Sequence, residues 1–180
     1  MKITTPFSSL LIATCLLMTT FVSTQPAFGQ EPRPRPAPAS ISLGEAQTII
    51  NGAISYARER DLHMAIVVMD QSGYEVASAR MDGASFRNVT FAEGKAYASA
   101  LYAQTTEALG ALVDTRPDRY FGITEMYPGK FYLVGGGVPL SVDGTLVGAV
   151  GIAGLPQGVD EAAARAGMAD WEEYRANNGG

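Results

Sequence analysis

Between Ser42 and Arg60 the apolar positions recur at helical intervals. Ala46, Ile49, Ile50, Ala53, Ile54 and Ala57 fall on one face. Ser42 with Glu45 three residues on has the spacing of a capping box, so the helix opens there, and Asp61 closes it. The pattern then changes period. "HMAIVVMD" is a continuous apolar run, "QSG" is turn chemistry, and "YEVASARM" alternates. These residues predict a hairpin, Met64 to Met69 and Tyr74 to Met81. After the loop "DGASFRN", helical signals run from about Asn88 to Gln104, and "TEALGALV" reads as a second short helix. The 17 residues "DTRPDRYFGITEMYPGK" carry no clear period and read as an irregular connection.

The next stretch, "FYLVGGGVPLSVDGTLVGAVGIAG", places seven glycines in 24 positions. It reads as three strands: "FYLVGG", "GVPLSV" and "TLVGAVGIAG". Asp143-Gly144 supplies the positive-φ turn between the last two. "VDEAAARAGMADWEEYR" is an amphipathic C-terminal helix. The order is helix, two strands, helices, three strands, helix. It predicts an α+β domain with a five-stranded antiparallel sheet and helices over a face.

The ends predict a different organisation. Lys2, the 13 apolar residues Leu10 to Val22 and the small residues Ala27 and Gly29 fit a secretory signal peptide over residues 1–29, cut before Gln30. The apolar stretch is too short to span a bilayer as a helix. Residues 30–40, with four prolines, read as an extended linker. The domain is expected over 41–175 and a flexible tail over 176–180. The chain is read as exported, periplasmic or secreted, with no membrane span once the signal is removed. Cys15, the one cysteine, lies within the signal segment, so the mature chain offers no disulfide and no thiolate chemistry. Losing Lys2 leaves 12 basic against 18 acidic residues, a net charge of −6. That acidic balance without a basic stripe argues against nucleic acid as a partner.

Several residues carry candidate chemistry. Gly135-Gly136-Gly137 lies between strands, precedes Pro139 and lacks the following Gly-Lys-Ser/Thr, so it is not a phosphate loop. Two readings stand: a bend or bulge, or bare backbone against which something presses. The three-residue spacing of Gly148, Gly151 and Gly154 raises the same question. His63, the one histidine, cannot build a multi-histidine metal site. It is either an ordinary loop residue or a single ligand such as an axial haem ligand. Lys95 sits among small residues, and either reaches solvent along its stem or points into a pocket as an anion-binding charge. Arg80 and Asp82 end a strand as an ion pair or a pocket rim.

Taken in order, "AIVVMDQSGYEVASARMDGA", "AEGKAYASA", "FYLVGGGVPLSVDGTLVGAVGIAG" and "VDEAAARAGM" resemble the GlcG/HbpS-like family. This is the haem-degrading or extracellular haem-binding domain, related to the C-terminal domain of PduO-type proteins. The resemblance implies a two-layer sandwich of profilin/PAS-like type with a five-stranded antiparallel sheet. It also implies homo-oligomers, from dimers to larger rings or cages, and haem or a related tetrapyrrole as ligand, in haem or iron handling or redox sensing. Some members carry a Glu-x-x-Glu iron site on the helix of the Ala-Glu-x-Lys-Ala pattern. Here that pair is Thr90 and Glu93, leaving Glu93 and His63 as weak metal candidates. The C-terminal histidine of some secreted members is replaced in the region of Trp171, Glu172 and Glu173. The expected ligand site combines Lys95, Arg80, Gly135, Gly136 and Gly137 with Thr124, Glu125 and Met126. An enzyme reading, a lyase or isomerase acting on a small carboxylated metabolite, would use Lys95 to hold the carboxylate and Glu93 or Asp82 as general base. A third reading is an accessory oligomer that contacts a partner through its Pro-rich arm.

Overall fold

The computed structural model describes residues 40–154, 156 and 158–178. Residues 1–29, expected as a signal peptide, and all of the Pro-rich stretch except Ser40 lie outside the described residues. Helix α1 (Leu43–Arg58) opens at Ser42 with both halves of the capping box formed. It ends where Asp61 adopts a φ of 53°. Strands β1 (Ala65–Asp70) and β2 (Glu75–Arg80) form the expected hairpin. Helix α2 (Arg87–Tyr102) follows, then the short α3 (Thr106–Gly110) and α4 (Leu112–Thr115), and α5 (Pro117–Met126). Strands β3 (Gly137–Val142) and β4 (Thr145–Ala153) join at Asp143 and Gly144, with φ of 49° and 76°, both in the left-handed region that a two-residue hairpin turn needs. Helix α6 (Val159–Asn178) closes the chain, so residues 176–178, expected as tail, are helical.

Among the described residues the sheet is antiparallel and has four strands in the order β2-β1-β4-β3, not the five expected. The missing strand is "FYLVGG". Its Tyr132 N–H donates to the Gly94 carbonyl of α2 at 3.3 Å, and its last residue meets the sheet through the Gly136 carbonyl, which accepts from the Ile152 N–H of β4 at 2.9 Å, so the segment lies on α2 and forms no strand of its own. Gly136, at φ 120°, then turns the chain into β3. A second correction concerns the connection 114–130, which has no clear period in the sequence and yet contains α5. Pro117 occupies the first helical turn, where its missing N–H costs nothing.

The sheet is covered on both faces. Ile66 and Val68 of β1 and Val150 and Ile152 of β4 join Ile49, Ala53, Ala164 and Trp171 in a core under α1 and α6. Ala65, Val67 and Met69 turn the other way, against Ala92 and Ala96 of α2. Helices therefore make a layer on each side of the sheet, one more than a two-layer sandwich has. A strand buried on both faces reads as an unbroken apolar run, which is why "AIVVM" lacks alternation.

Helix α6 is fastened to α1 by one carboxylate. Glu45 closes the capping box on Ser42 and also accepts from the Trp171 indole N–H (3.2 Å) and from the Arg175 guanidinium. Burial pushes its pKa up, but the hydrogen bonds from the Ser42 backbone and hydroxyl, Arg175 and Trp171 outweigh it and hold the group below its ordinary value of 4.5. A carboxylate whose folded pKa is depressed contributes stability that is complete above the unfolded value and lost as pH falls through the folded one. Glu45→Gln is therefore expected to cost about 1.5–3 kcal/mol at neutral pH. Urea titrations of variant and parent should converge as the pH is taken below 4.5.

Candidate functional site

The antiparallel register brings the start of β1 beside the ends of β2 and β4, with Ala65 opposite both Arg80 and Ala153. A cavity of about 850 Å³ opens at this end of the sheet. His63 lines it just before β1, and Gly83, Ala84 and Ser85 line it just after β2. Helix α2 contributes Arg87, Phe91 and Lys95, spaced four apart and so stacked on one helical face, together with Asn88. Tyr132 stacks on Phe91 with ring centroids 4.5 Å apart and an interplanar angle of 10°, making an aromatic wall.

Lys95 resolves to neither a solvent-reaching side chain nor an unengaged charge. It is buried, 2% exposed. Its Nζ donates to Asp160 Oδ2 at 2.6 Å and to the Ile152 carbonyl at 2.7 Å. Asp160 sits in the first turn of α6 and is itself 6% exposed. The pair thus ties α2, β4 and α6 together at the cavity. The lysine's charge is matched and two of its three donors are used, which meets the heavy cost of burying a lone ammonium.

The glycine run is built around this pair. A Cβ on Gly136 would lie 2.7 Å from the Ile152 carbonyl oxygen and 2.9 Å from Lys95 Nζ. Only a residue without a side chain lets the chain pass over the ion pair at that φ. A Cβ on Gly137 would lie 2.6 Å from the Lys95 carbonyl oxygen, and the Gly137 N–H donates to Thr106 Oγ1 at 2.8 Å. Gly135 lines the cavity itself. On β4, Gly151 faces the Ala92 and Ala96 backbone of α2, whereas Gly148 lies against Met69 and Ile41. Their three-residue spacing puts them on opposite faces of the strand.

The structure distributes the other candidates. Lys95, His63 and Gly135 share the cavity, and Gly136 covers the ion pair beside it. Arg80 and Asp82 line a smaller cavity of about 360 Å³ that also touches His63, and Arg80 donates to the Ala84 carbonyl at 3.1 Å. Glu93 lies elsewhere, with Thr90, Glu75 and Tyr97 around a space of about 480 Å³. Thr124, Glu125 and Met126 end α5 and line none of these three cavities. Among the described residues no group of three or more His, Cys, Asp or Glu side chains is placed to hold a metal ion. No helix among them is long and apolar enough to cross a membrane. The sequence reading missed Asp160, Arg87, Phe91 and Tyr132. The four-residue spacing of Arg87, Phe91 and Lys95 was the available signal for two of them.

A sequence profile described as "Haem degrading protein HbpS-like" matches residues 41–169. The chain belongs to the HbpS-like family. Its curated relatives include the corrinoid adenosyltransferase PduO of Salmonella typhimurium, 26% identical over 130 residues, 72% of this chain. The matched part is 37% of PduO, so the chain spans little more than a third of that relative. Among solved structures, the crystal structure of HbpS superposes with a TM-score of 0.70 at 27% identity, covering 78% of this chain and 96% of the other. A double mutant of HbpS from Streptomyces reticuli gives 0.70 at 26% identity, covering 78% and 93%. The PduO C-terminal domain in complex with heme gives 0.67 at 25% identity, covering 73% and 94%. The HbpS-like resemblance expected from the sequence is thereby established for this chain.

Proposed function

We propose that this HbpS-like protein is an exported binding protein for haem or a related tetrapyrrole, acting in haem or iron handling or redox sensing. The observation that carries the reading is the 850 Å³ cavity, which combines the Phe91–Tyr132 stack with the chain's one histidine and Arg87. A flat conjugated ring stacks on an aromatic wall, and an imidazole ligates iron. Arg87 offers a guanidinium fork for a propionate. The solved heme complex of a similar domain supports the same reading. The sequence supports export through residues 1–29 and an oligomer through the family.

The Lys95 ammonium, already engaged by Asp160 and the Ile152 carbonyl, enters this reading as a support for the cavity and not as the propionate clamp. The same engagement weighs against a lyase or isomerase that needs it for a substrate carboxylate. Titrating the mature protein with hemin is expected to give a saturable Soret shift at micromolar concentration. In His63→Ala the spectrum should lose its imidazole-ligated form. Absence of saturation in the parent would remove haem as the ligand, and an unchanged spectrum in the variant would remove His63 as the iron ligand.

A further inference from the structure

Asn88 brings a side-chain amide to the main cavity that the protein itself leaves unused. It stands in the first turn of α2 and is 8% exposed, and Arg87 and Phe91 of the same helix line the space with it. Its backbone N–H donates to the Ser85 carbonyl at 3.0 Å, but among the described residues no hydrogen bond reaches the side-chain amide. Nor does the amide cap α2, which begins at Phe86 without a side-chain cap. It is packed against Gly154, which lines the cavity as well: a Cβ added to that glycine would collide with Asn88 Nδ2. The same Cβ would lie 3.0 Å from the His63 carbonyl oxygen, so the amide sits at the end of the cavity where His63 enters it. A primary amide offers two donors and an acceptor, and withdrawing them from water without partners costs stability. Packing alone would be better served by a leucine of similar size.

We propose that Asn88 is a specificity-determining residue of this cavity: its amide donates a hydrogen bond to a carboxylate of the bound tetrapyrrole and so selects ligands with free propionate groups. The inference rests on the tetrapyrrole reading above and adds to it the group on the ligand that is recognised. The setting on α2 favours an anion. Arg87, next along the chain, is a cation, and the first turn of a 16-residue helix is the positive end of its dipole. Asp61, the lining carboxylate that Lys95 does not engage, belongs to the turn after α1 and is exposed. Arg87 is exposed too, where solvent screens its attraction, whereas the Asn88 amide is withdrawn from competing water. A site that hydrogen-bonds a ligand group discriminates strongly against the analogue lacking it, because the buried partner is then left unpaired.

The test titrates two porphyrins, followed by Soret absorbance, into the parent, Asn88→Leu and Asn88→Asp. One is hemin; the other is iron etioporphyrin, whose rim carries only methyl and ethyl groups. The parent should hold hemin the more tightly. Asn88→Leu keeps the side-chain volume and removes its hydrogen bonds, so it should weaken hemin roughly tenfold and leave iron etioporphyrin within about twofold of the parent. Asn88→Asp sets a carboxylate against a carboxylate and should weaken hemin further than Asn88→Leu does, again sparing iron etioporphyrin. The etioporphyrin arm thus also reports that each variant retains its cavity. Equal losses for both porphyrins would make Asn88 a packing residue, and hemin affinity unchanged in both variants would remove its contact with the ligand; either result overturns the proposal while leaving the haem reading in place. A parent that binds neither porphyrin removes the haem reading, and this role of Asn88 with it.

Discussion

Asp160→Leu should lower stability by about 3–5 kcal/mol, because it leaves the Lys95 ammonium buried against a carbonyl with its counter-charge gone. Lys95→Met should also lower stability, because it takes the lysine away from the buried Asp160 carboxylate. Changing both together, Lys95→Met with Asp160→Leu, should recover most of the loss, since two apolar side chains leave no unmatched charge in the space. The comparison separates the cost of breaking the pair from the net contribution of having it. Urea unfolding of the four proteins reads it through the midpoints. If the double variant is as unstable as the sum of the singles, the pair is not the unit that the geometry suggests.

Gly151→Ala is the second large effect. Its backbone is not in the left-handed region, so conformational strain is not the issue. The new methyl would enter the space of the Ala92 carbonyl oxygen and the Ala96 N–H, both backbone atoms of α2. Nothing flexible can yield, so the helix must lift from the sheet. The expected cost is about 3 kcal/mol or more, at the top of the range for overpacking. Because α2 carries Arg87, Phe91 and Lys95, the proposed hemin binding should weaken as well. Gly144→Asn is the control. It has a φ of 76°, but a Cβ added there would meet nothing within 4 Å, and Asn tolerates that φ. Its thermal midpoint should stay close to that of the parent.

These two sites also show what the sequence could and could not disclose. The Ser42–Glu45 box, the Asp143-Gly144 turn and the period change after Asp61 are local signals, and the elements they predict are present. The "FYLVGG" strand failed because its apolar residues serve α2 and not a sheet: Phe131 packs on Tyr97 and Tyr102, and Tyr132 on Phe91. An apolar run with aromatic residues is consistent with either use. Helix α5 was hidden by Pro117 and Gly122, which read as punctuation although one begins the helix and the other lies inside it. Lys95 stood out as a charge among small residues. Its partner did not, because an aspartate in a first helical turn is ordinary dipole chemistry and lies 65 residues away. The glycines were visible as a question; their answer required knowing that a helix backbone lies across them.

The joint between α1 and α6 has a spectroscopic consequence. Trp171 is the chain's one tryptophan, 2% exposed, with its indole N–H on Glu45. Its emission therefore comes from one buried place, where two helices far apart in sequence meet. A red shift on mild acidification, with far-ultraviolet circular dichroism unchanged, would signal the parting of these two helices ahead of global unfolding.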